Sequence, residues 1–377
     1  MAEIHGSFDD GFAGVARALS ASIDAGTDVG GSVAVVRGGR LIVDIWGGWA
    51  DEARTRPWER DTITNVWSTT KTMTFLVSLV LADRGELDLD APVARYWPEF
   101  AANGKQGVLV RHLLGHTAGL SGWDQPMTAA DLEDWDKCTS LLAAQAPWWE
   151  PGSSSGYHAI TQGYLVGEVV RRITGQSFGT FFAKEVAGPL GADFHVGLDP
   201  VHHGRVSDVI PPPPLAFPEI DPASVLARSL GNPVMDATMA WTPGWRQAEV
   251  PAANGHGNAR SVATVQAVVS HGGELNGVRL VSEATLARIF EVQADGIDQV
   301  LMVPLRMGMG YGLNGPDTPV SPNARACYWG GWGGSLVVND LDAGVTMAYM
   351  MNKMGLGTVG DERAGALFGA VHAGLAG

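Results

Sequence analysis

From Phe8 to Ile23 apolar residues recur at helical spacing and stop near Gly26, which predicts a helix. Ser32-Val33-Ala34-Val35-Val36-Arg37 then reads as a strand, Gly38-Gly39 as a two-residue turn, and Arg40-Leu41-Ile42-Val43-Asp44-Ile45-Trp46 as the partner strand, so a hairpin is predicted. A second hairpin is predicted near the other end. There Tyr328 to Asn339 leads through the turn Asp340-Leu341-Asp342-Ala343-Gly344 into a strand from Val345 to Met351, and a closing helix follows from Arg363 to Leu375. Helical patterns dominate between the hairpins. Thr69 to Asp83 is apolar on nearly every side, the signature of a buried helix, and Gly85 supplies its stop. Asp90 is placed to cap a short turn reaching Tyr96. Val110 to Leu114, Ala159 to Thr174, Phe178 to Glu185 and Glu283 to Phe290 read as further helices, and Ser261 as the cap of one reaching His271.

Ile210-Pro211-Pro212-Pro213-Pro214 fits neither regular helix nor central strand and opens an irregular stretch to about Gly257. A loop that long either lines a site or is a surface linker. Strands near both ends with helices between them predict an α+β fold. An antiparallel sheet is built from both chain ends, flanked by helices, and a mainly helical domain is inserted. The boundaries fall at 1–75 and 258–377 for the discontinuous sheet domain and at 76–257 for the insertion with its long loops. There is no internal repeat and no low-complexity tract.

Composition narrows the function classes. The 377 residues suffice for two such parts, with a core that needs no disulfide or metal staple. Hydrophobic residues make up 45% and charged residues 17%, which excludes a disordered chain. A formal charge of −15 disfavours nucleic acid and anionic membranes as partners. Cys138 and Cys327 give neither a disulfide framework nor zinc spacing and are expected to be reduced core residues. The first ten residues carry Glu3, Asp9 and Asp10 without a basic-then-apolar run, and no stretch reaches membrane-spanning length, so a cytoplasmic location is expected. His112, His116, His158, His202, His203, His256 and His271 form no recognised ligand set, and no phosphate loop or dinucleotide fingerprint is present. Neither a metal nor a cofactor is expected.

The candidate chemistry begins at Ser68-Thr69-Thr70-Lys71, the one place where a serine stands three residues before a lysine. Such a spacing arises about once by chance in a chain this long. Its context is what singles it out. It opens the buried helix, where residues i and i+3 share a face and the N-terminal N–H groups favour negative charge. Only Lys71, Lys105, Lys137, Lys184 and Lys353 are lysines, and one at the mouth of an apolar helix needs a reason to be there. A nucleophile, an amine and an anion-stabilising field in one place suit acyl transfer. Gly152-Ser153-Ser154-Ser155-Gly156 matches a nucleophile elbow, but that motif needs a strand before it and a helix after it within a parallel sheet. Trp148-Trp149-Glu150-Pro151 precedes it instead, so it reads as a loop leading to Tyr157.

Ser68-Thr69-Thr70-Lys71, then Tyr157-His158-Ala159, then Trp329-Gly330-Gly331 occur in the order and at the separations seen in the serine β-lactamase and penicillin-binding-protein superfamily. The chain most resembles its esterase branch, the family VIII carboxylesterases, which are similar to class C β-lactamases. Leu113-Leu114-Gly115-His116-Thr117-Ala118-Gly119-Leu120 and Gly85-Glu86-Leu87-Asp88-Leu89-Asp90-Ala91-Pro92 add to the resemblance, which spans roughly residues 30 to 350. It implies a β-lactamase/transpeptidase-like fold with Ser68 as nucleophile and Lys71 holding it and shuttling its proton. Tyr157 is implied as a general base, either as a phenolate or through hydrogen bonds to Lys71. The backbone N–H groups of Ser68 and Trp332 are implied as the oxyanion hole. Lysine and tyrosine titrate as a coupled pair, and which takes the serine proton stays open.

Two positions depart from the family pattern. Ala159 stands where asparagine is expected, and Trp329 stands where a lysine would hold a carboxylate. The first loses an amide contact to substrate and the second a cation. Trp329, Gly330, Gly331, Trp332 and Ala159 are therefore expected to meet the acyl or alcohol part of a small-molecule ester. The tryptophans at 123, 148, 149, 241, 245, 329 and 332 suggest an aromatic-lined cleft. The expected function is a serine esterase acting on short acyl chains through an acyl-enzyme. A β-lactamase, a D-amino-acid peptidase or amidase, and a non-catalytic binding relative are the alternatives. The oligomeric state is not legible.

Overall fold

The protein is described here by a computed structural model covering residues 1–214 and 220–377; residues 215–219, inside the irregular stretch, lie outside the described residues. The chain enters through β1 (Ile4–Phe8), β2 (Gly30–Arg37) and β3 (Arg40–Gly48). Short strands β4 (Ile63–Asn65), β5 (Val206–Ser207) and β6 (His256–Gly257) form a small separate sheet, and β7 (Glu274–Leu275) pairs with β8 (Val278–Arg279). The last third supplies β9 (Ala294–Ile297), β10 (Pro304–Met307), β11 (Gly312–Leu313), β12 (Ala326–Gly330), β13 (Leu336–Asp340) and β14 (Val345–Met351). Among the described residues, nine of these strands make one antiparallel sheet in the order β1-β3-β2-β14-β13-β12-β11-β10-β9. The pairing of β2 with β14 brings the two ends of the chain together at its centre, with Val35 opposite Met347.

Both faces of this sheet are covered, so its central strands are apolar at successive positions rather than at alternate ones. Val33 and Val35 join Met347 and Tyr349 in a layer beneath the helices Ala13–Asp24 and Glu362–Ala376. Ala34 and Val36 join Ala348 and Met350 on the opposite face, with the helices Lys71–Asp83 and Ala259–Ser270. Every side chain from Lys71 to Leu81 is buried, as the all-round apolar pattern predicted. Among the described residues, no helix is long and apolar enough to cross a membrane.

Local differences from the sequence reading have local causes. The first helix starts at Ala13, because Ile4–Phe8 pairs with β3 as an edge strand. The cap of the helix Ala259–Ser270 is Asn258, whose side chain accepts from the Ser261 N–H, while the Ser261 hydroxyl accepts from the Asn258 N–H. Ser261 is the third helical residue of that capping box, not its cap. Asp90 does not cap the turn Val93–Arg95; it pairs with Arg111 and Arg288. Within the stretch expected to be irregular, the helices Val225–Leu230 and Pro243–Gln247 form, each opened by a Ser or Thr cap.

One buried ionic knot fastens the terminal helix to the sheet. Arg363 lies 2.9 Å from the fully buried Asp28, donates to Asp361 and to the carbonyl oxygens of Lys353 and Gly333, and Tyr349 also donates to Asp28. Replacing Arg363 by Ala leaves Asp28 buried without its cation. We expect a loss of about 3 kcal/mol, read as a lower urea midpoint; an unchanged midpoint would show that the knot carries no stability.

Candidate active site

The segment Trp67–Thr70 is a 3-10 turn, and the α-helix begins at Lys71. Residues i and i+3 eclipse in a 3-10 turn, which stacks Lys71 directly over Ser68. Lys71 Nζ lies 3.1 Å from Ser68 Oγ, 2.6 Å from the Ala159 carbonyl oxygen and 2.9 Å from the Ala252 carbonyl oxygen. The ammonium end is fully buried and no carboxylate pairs with it among the described residues. Burial therefore holds the Lys71 pKa well below the usual lysine value. A neutral amine has two N–H donors and one lone pair. In that form the two N–H groups can serve the two carbonyl oxygens and the lone pair can face the Ser68 hydroxyl, whereas an ammonium would donate to all three oxygens.

Tyr157 closes the set from the loop before the helix Thr161–Thr174. Lys71 Nζ sits 4.7 Å from the centroid of its ring. The indole N–H of Trp329 donates to its hydroxyl oxygen at 3.3 Å. Burial pushes the Tyr157 phenol up, while the approach of Ser68 and of the Trp329 N–H pulls the other way and does not prevail. The phenolate implied by the family resemblance is therefore not favoured. Burial lowers the pKa of the lysine that would stabilise it, and the amine lies over the ring. His116 and His158 brace the tyrosine segment. The His116 ring stands edge-on to Tyr157 at 4.8 Å, the His158 N–H donates to His116 Nδ1, and the Leu120 N–H donates to His158 Nε2. Burial keeps both imidazoles neutral, pushing His158 down to about 4.

The backbone of the turn carrying Ser68 is strained and strapped. Trp67 takes φ +49°, a left-handed conformation that a bulky residue adopts only when its surroundings impose it. Its ring packs at a tilt between Trp245 and Trp332, at 5.9 and 5.0 Å between centroids. Ser335 Oγ, at the head of β13, donates to the Val66 carbonyl oxygen and lies 3.0 Å from the Thr69 hydroxyl. Gly331 must be glycine. A Cβ there would stand 2.3 Å from the Val66 carbonyl oxygen and 3.3 Å from the Ser68 nitrogen. The turn after β12 thus lies directly against Val66-Trp67-Ser68, and neither the Ser68 nor the Trp332 N–H has an acceptor among the described residues. Ser68 and Trp332 are half-buried, so this corner opens outward.

The structure brings Ser68, Lys71, Tyr157, Trp329, Gly331 and Trp332 together, though not in every role expected. Trp329 is fully buried, so its indole holds the Tyr157 hydroxyl and offers no surface to a substrate. Gly330 and Gly331 admit the protein's own backbone and side chains, rather than a substrate. Ala159 takes part through its carbonyl oxygen. Of the expected aromatic cleft, Trp123 and Trp245 are core residues, donating to the Cys138 carbonyl oxygen and to Asn65, and Trp241 is exposed. The elbow-like segment 152–156 has no strand before it or helix directly after it, and Ser154 accepts from Gln299. Ala252 went unnoticed because a carbonyl oxygen leaves no mark in side-chain chemistry. Ser335 stood in the Gly-Gly-Ser run after Trp332, and its polarity at the head of an apolar strand was the available signal.

Comparison with known proteins places this geometry. A family model described as Beta-lactamase matches residues 15–371. The chain is 35% identical over 363 residues to the protein named Esterase/beta-lactamase LipL of Mycobacterium tuberculosis (strain ATCC 25618 / H37Rv), covering 93% of this chain and 83% of that protein. A solved structure described as a family VIII carboxylesterase is 40% identical with a TM-score of 0.93, over 99% of this chain and 100% of that one. A penicillin-binding protein homolog from Caulobacter crescentus is 37% identical with a TM-score of 0.92, over the same shares.

The contact at Gly331 can be tested directly. Gly331→Ala should push the turn from the Ser68 amide and lower kcat for an ester by about 10²–10³-fold, with the far-ultraviolet spectrum unchanged. Wild-type kcat in that variant would remove the turn from the site.

Proposed function

The chain belongs to the beta-lactamase family and has the β-lactamase and penicillin-binding-protein fold, and from there we propose that it is a carboxylesterase of the Ser-x-x-Lys type. In this reading it cleaves small carboxylic esters with short acyl chains through an acyl-enzyme on Ser68. The observation that carries the reading is the buried, carboxylate-free Lys71 amine held between two carbonyl oxygens and the Ser68 hydroxyl.

The neutral amine takes the hydroxyl proton as Ser68 Oγ bonds to the ester carbonyl carbon. Negative charge gathers on the carbonyl oxygen beside the Ser68 and Trp332 N–H groups. The bond to the alcohol oxygen then breaks, and the alcohol leaves with the proton returned from the Lys71 ammonium. The Tyr157 hydroxyl, kept as a phenol, orients the leaving oxygen. Lys71, neutral again, deprotonates water. That water attacks the acyl carbon, and Ser68 departs with the proton.

Esters are favoured over β-lactams because both departures from the family pattern remove groups that would hold a polar or anionic substrate. Position 159 has no side-chain amide and position 329 no cation. The descriptions of the similar proteins, one a carboxylesterase and one an esterase/beta-lactamase, support the same reading. Nitrocefin turnover exceeding ester turnover would favour the β-lactamase alternative. A cytoplasmic location goes with this proposal, supported by Cys138 and Cys327 being free and buried.

Ser68→Ala should cut p-nitrophenyl ester hydrolysis by roughly 10⁴-fold or more, while Ser154→Ala should leave it near the wild-type rate; the reverse pattern rejects the assignment. A trapped acyl mass on the Ser68 peptide after a slow ester would identify the nucleophile directly.

Protonating Lys71 removes the base, so kcat/KM should rise with pH through the lowered lysine pKa and level off above it. Lys71→Arg keeps a cation that never deprotonates in this range and should lose about 10²–10⁴-fold at every pH. Activity in that variant near the wild-type level would show that the amine is not the base.

A further inference from the structure

Asp298 is fully buried, lies outside the family motifs, and no cation pairs with it among the described residues. It sits in the turn joining β9 to β10, beside the loop that carries Tyr157. One carboxylate oxygen accepts the Tyr157 N–H at 3.1 Å, the Val300 N–H at 2.9 Å and the Leu301 N–H at 2.8 Å. The other accepts the Ser155 hydroxyl. Around it the two segments are zipped together. The Gln299 N–H donates to the Ser155 carbonyl oxygen at 3.0 Å, and the Gln299 side chain donates to Ser154 Oγ at 2.7 Å.

A carboxylate taken out of water without a counter-ion is costly, and this one is retained by four donors. Two of those donors order its own turn. The other two belong to Ser155 and Tyr157, in a loop with no helix or strand of its own. A loop free of regular structure has no ladder to fix where its side chains point, so its register must come from such side-chain contacts.

We propose that Asp298 is a positioning residue for Tyr157, clamping the loop 153–157 so that the phenol stands against Lys71 and Ser68. It touches neither substrate nor reacting atoms and acts through the tyrosine backbone. Its negative charge also opposes ionisation of the phenol, in line with a hydroxyl that donates. This inference rests on the reading of Ser68, Lys71 and Tyr157 as the reacting set.

The test is a double-mutant cycle on the full chain with a p-nitrophenyl ester, measuring kcat and KM separately. Asp298→Asn keeps the size and one accepting oxygen but removes the charge and one acceptor. A misplaced phenol should lower kcat about 10–100-fold, with KM close to wild type. Because the effect passes through Tyr157, the same substitution in a Tyr157→Phe background should cost little further. If Asp298→Asn does not fold, Ser155→Ala removes a single donor from the clamp and should show a smaller kcat loss that also vanishes in the Tyr157→Phe background. A folded Asp298→Asn or Ser155→Ala enzyme with wild-type kcat overturns the proposal, and so does a loss of equal size in both backgrounds. Unimpaired Tyr157→Phe would instead overturn the role of Tyr157 in the proposed function.

Discussion

The burial of one amine without a counter-ion is the constraint on which the site depends. Lys71 enters a helix whose side chains are buried down to Leu81, and its tip meets only uncharged oxygens. An ammonium there would be poorly solvated, so the position favours the neutral group. A carboxylate in contact would reverse this by restoring the cation. The buried carboxylate behind the Tyr157 loop, Asp298, is engaged instead by backbone N–H groups and a hydroxyl. The site thus contains a carboxylate met by four donors and an amine whose burial favours its neutral form, each set by where the backbone puts its donors and acceptors.

The nucleophile turn is shaped by packing from several sides at once. A left-handed tryptophan before Ser68 would be unfavourable in isolation. Here the tilted packing of Trp67 between Trp245 and Trp332 fixes the ring, while Ser335 and Gly331 fix the backbone. Ser335 and Gly331 flank the turn between β12 and β13, strands in the middle of the large sheet. Arg363 reaches that turn at the Gly333 carbonyl oxygen from the terminal helix. The sheet assembled from both chain ends is in this sense the support of the corner holding the Ser68 and Trp332 N–H groups, and the loop before the helix Thr161–Thr174 supplies Tyr157.

Much of this was legible where chemistry is written in side chains. Ser68 and Lys71 stand out from residue type and spacing, Tyr157 only through the family resemblance, and the two hairpins from alternating or continuous apolar runs bounded by glycine. What escaped detection was written in the backbone. The carbonyl oxygens of Ala159 and Ala252 could be any residue's. The 3-10 start of the helix differs from an α-helical start only in hydrogen-bond register. Strands β9 to β11 are two to four residues long, too short for a period to show. Asp298 is one acidic residue among many, and only its burial distinguishes it. Trp329 was recognised as a replaced lysine but assigned to the substrate, because sequence order cannot say which face of a strand end is covered.

That replacement also bears on how the base is kept neutral. A lysine at position 329 would place a second positive charge in the site, and like charges lower one another's pKa. A tryptophan cannot do this. Its indole, fully buried against Tyr157, brings no charge to the site. Desolvation is accordingly the cause of the lowered lysine pKa here. Repulsion and desolvation both deliver a neutral amine, yet they differ in what else they bring. A second cation would also attract the carboxylate of a substrate, whereas an indole attracts none. In the proposed reading, exchanging one for the other keeps a neutral amine beside Ser68 while withdrawing a cation that would recognise an anion, and a neutral ester is the acyl donor that loses least by that exchange.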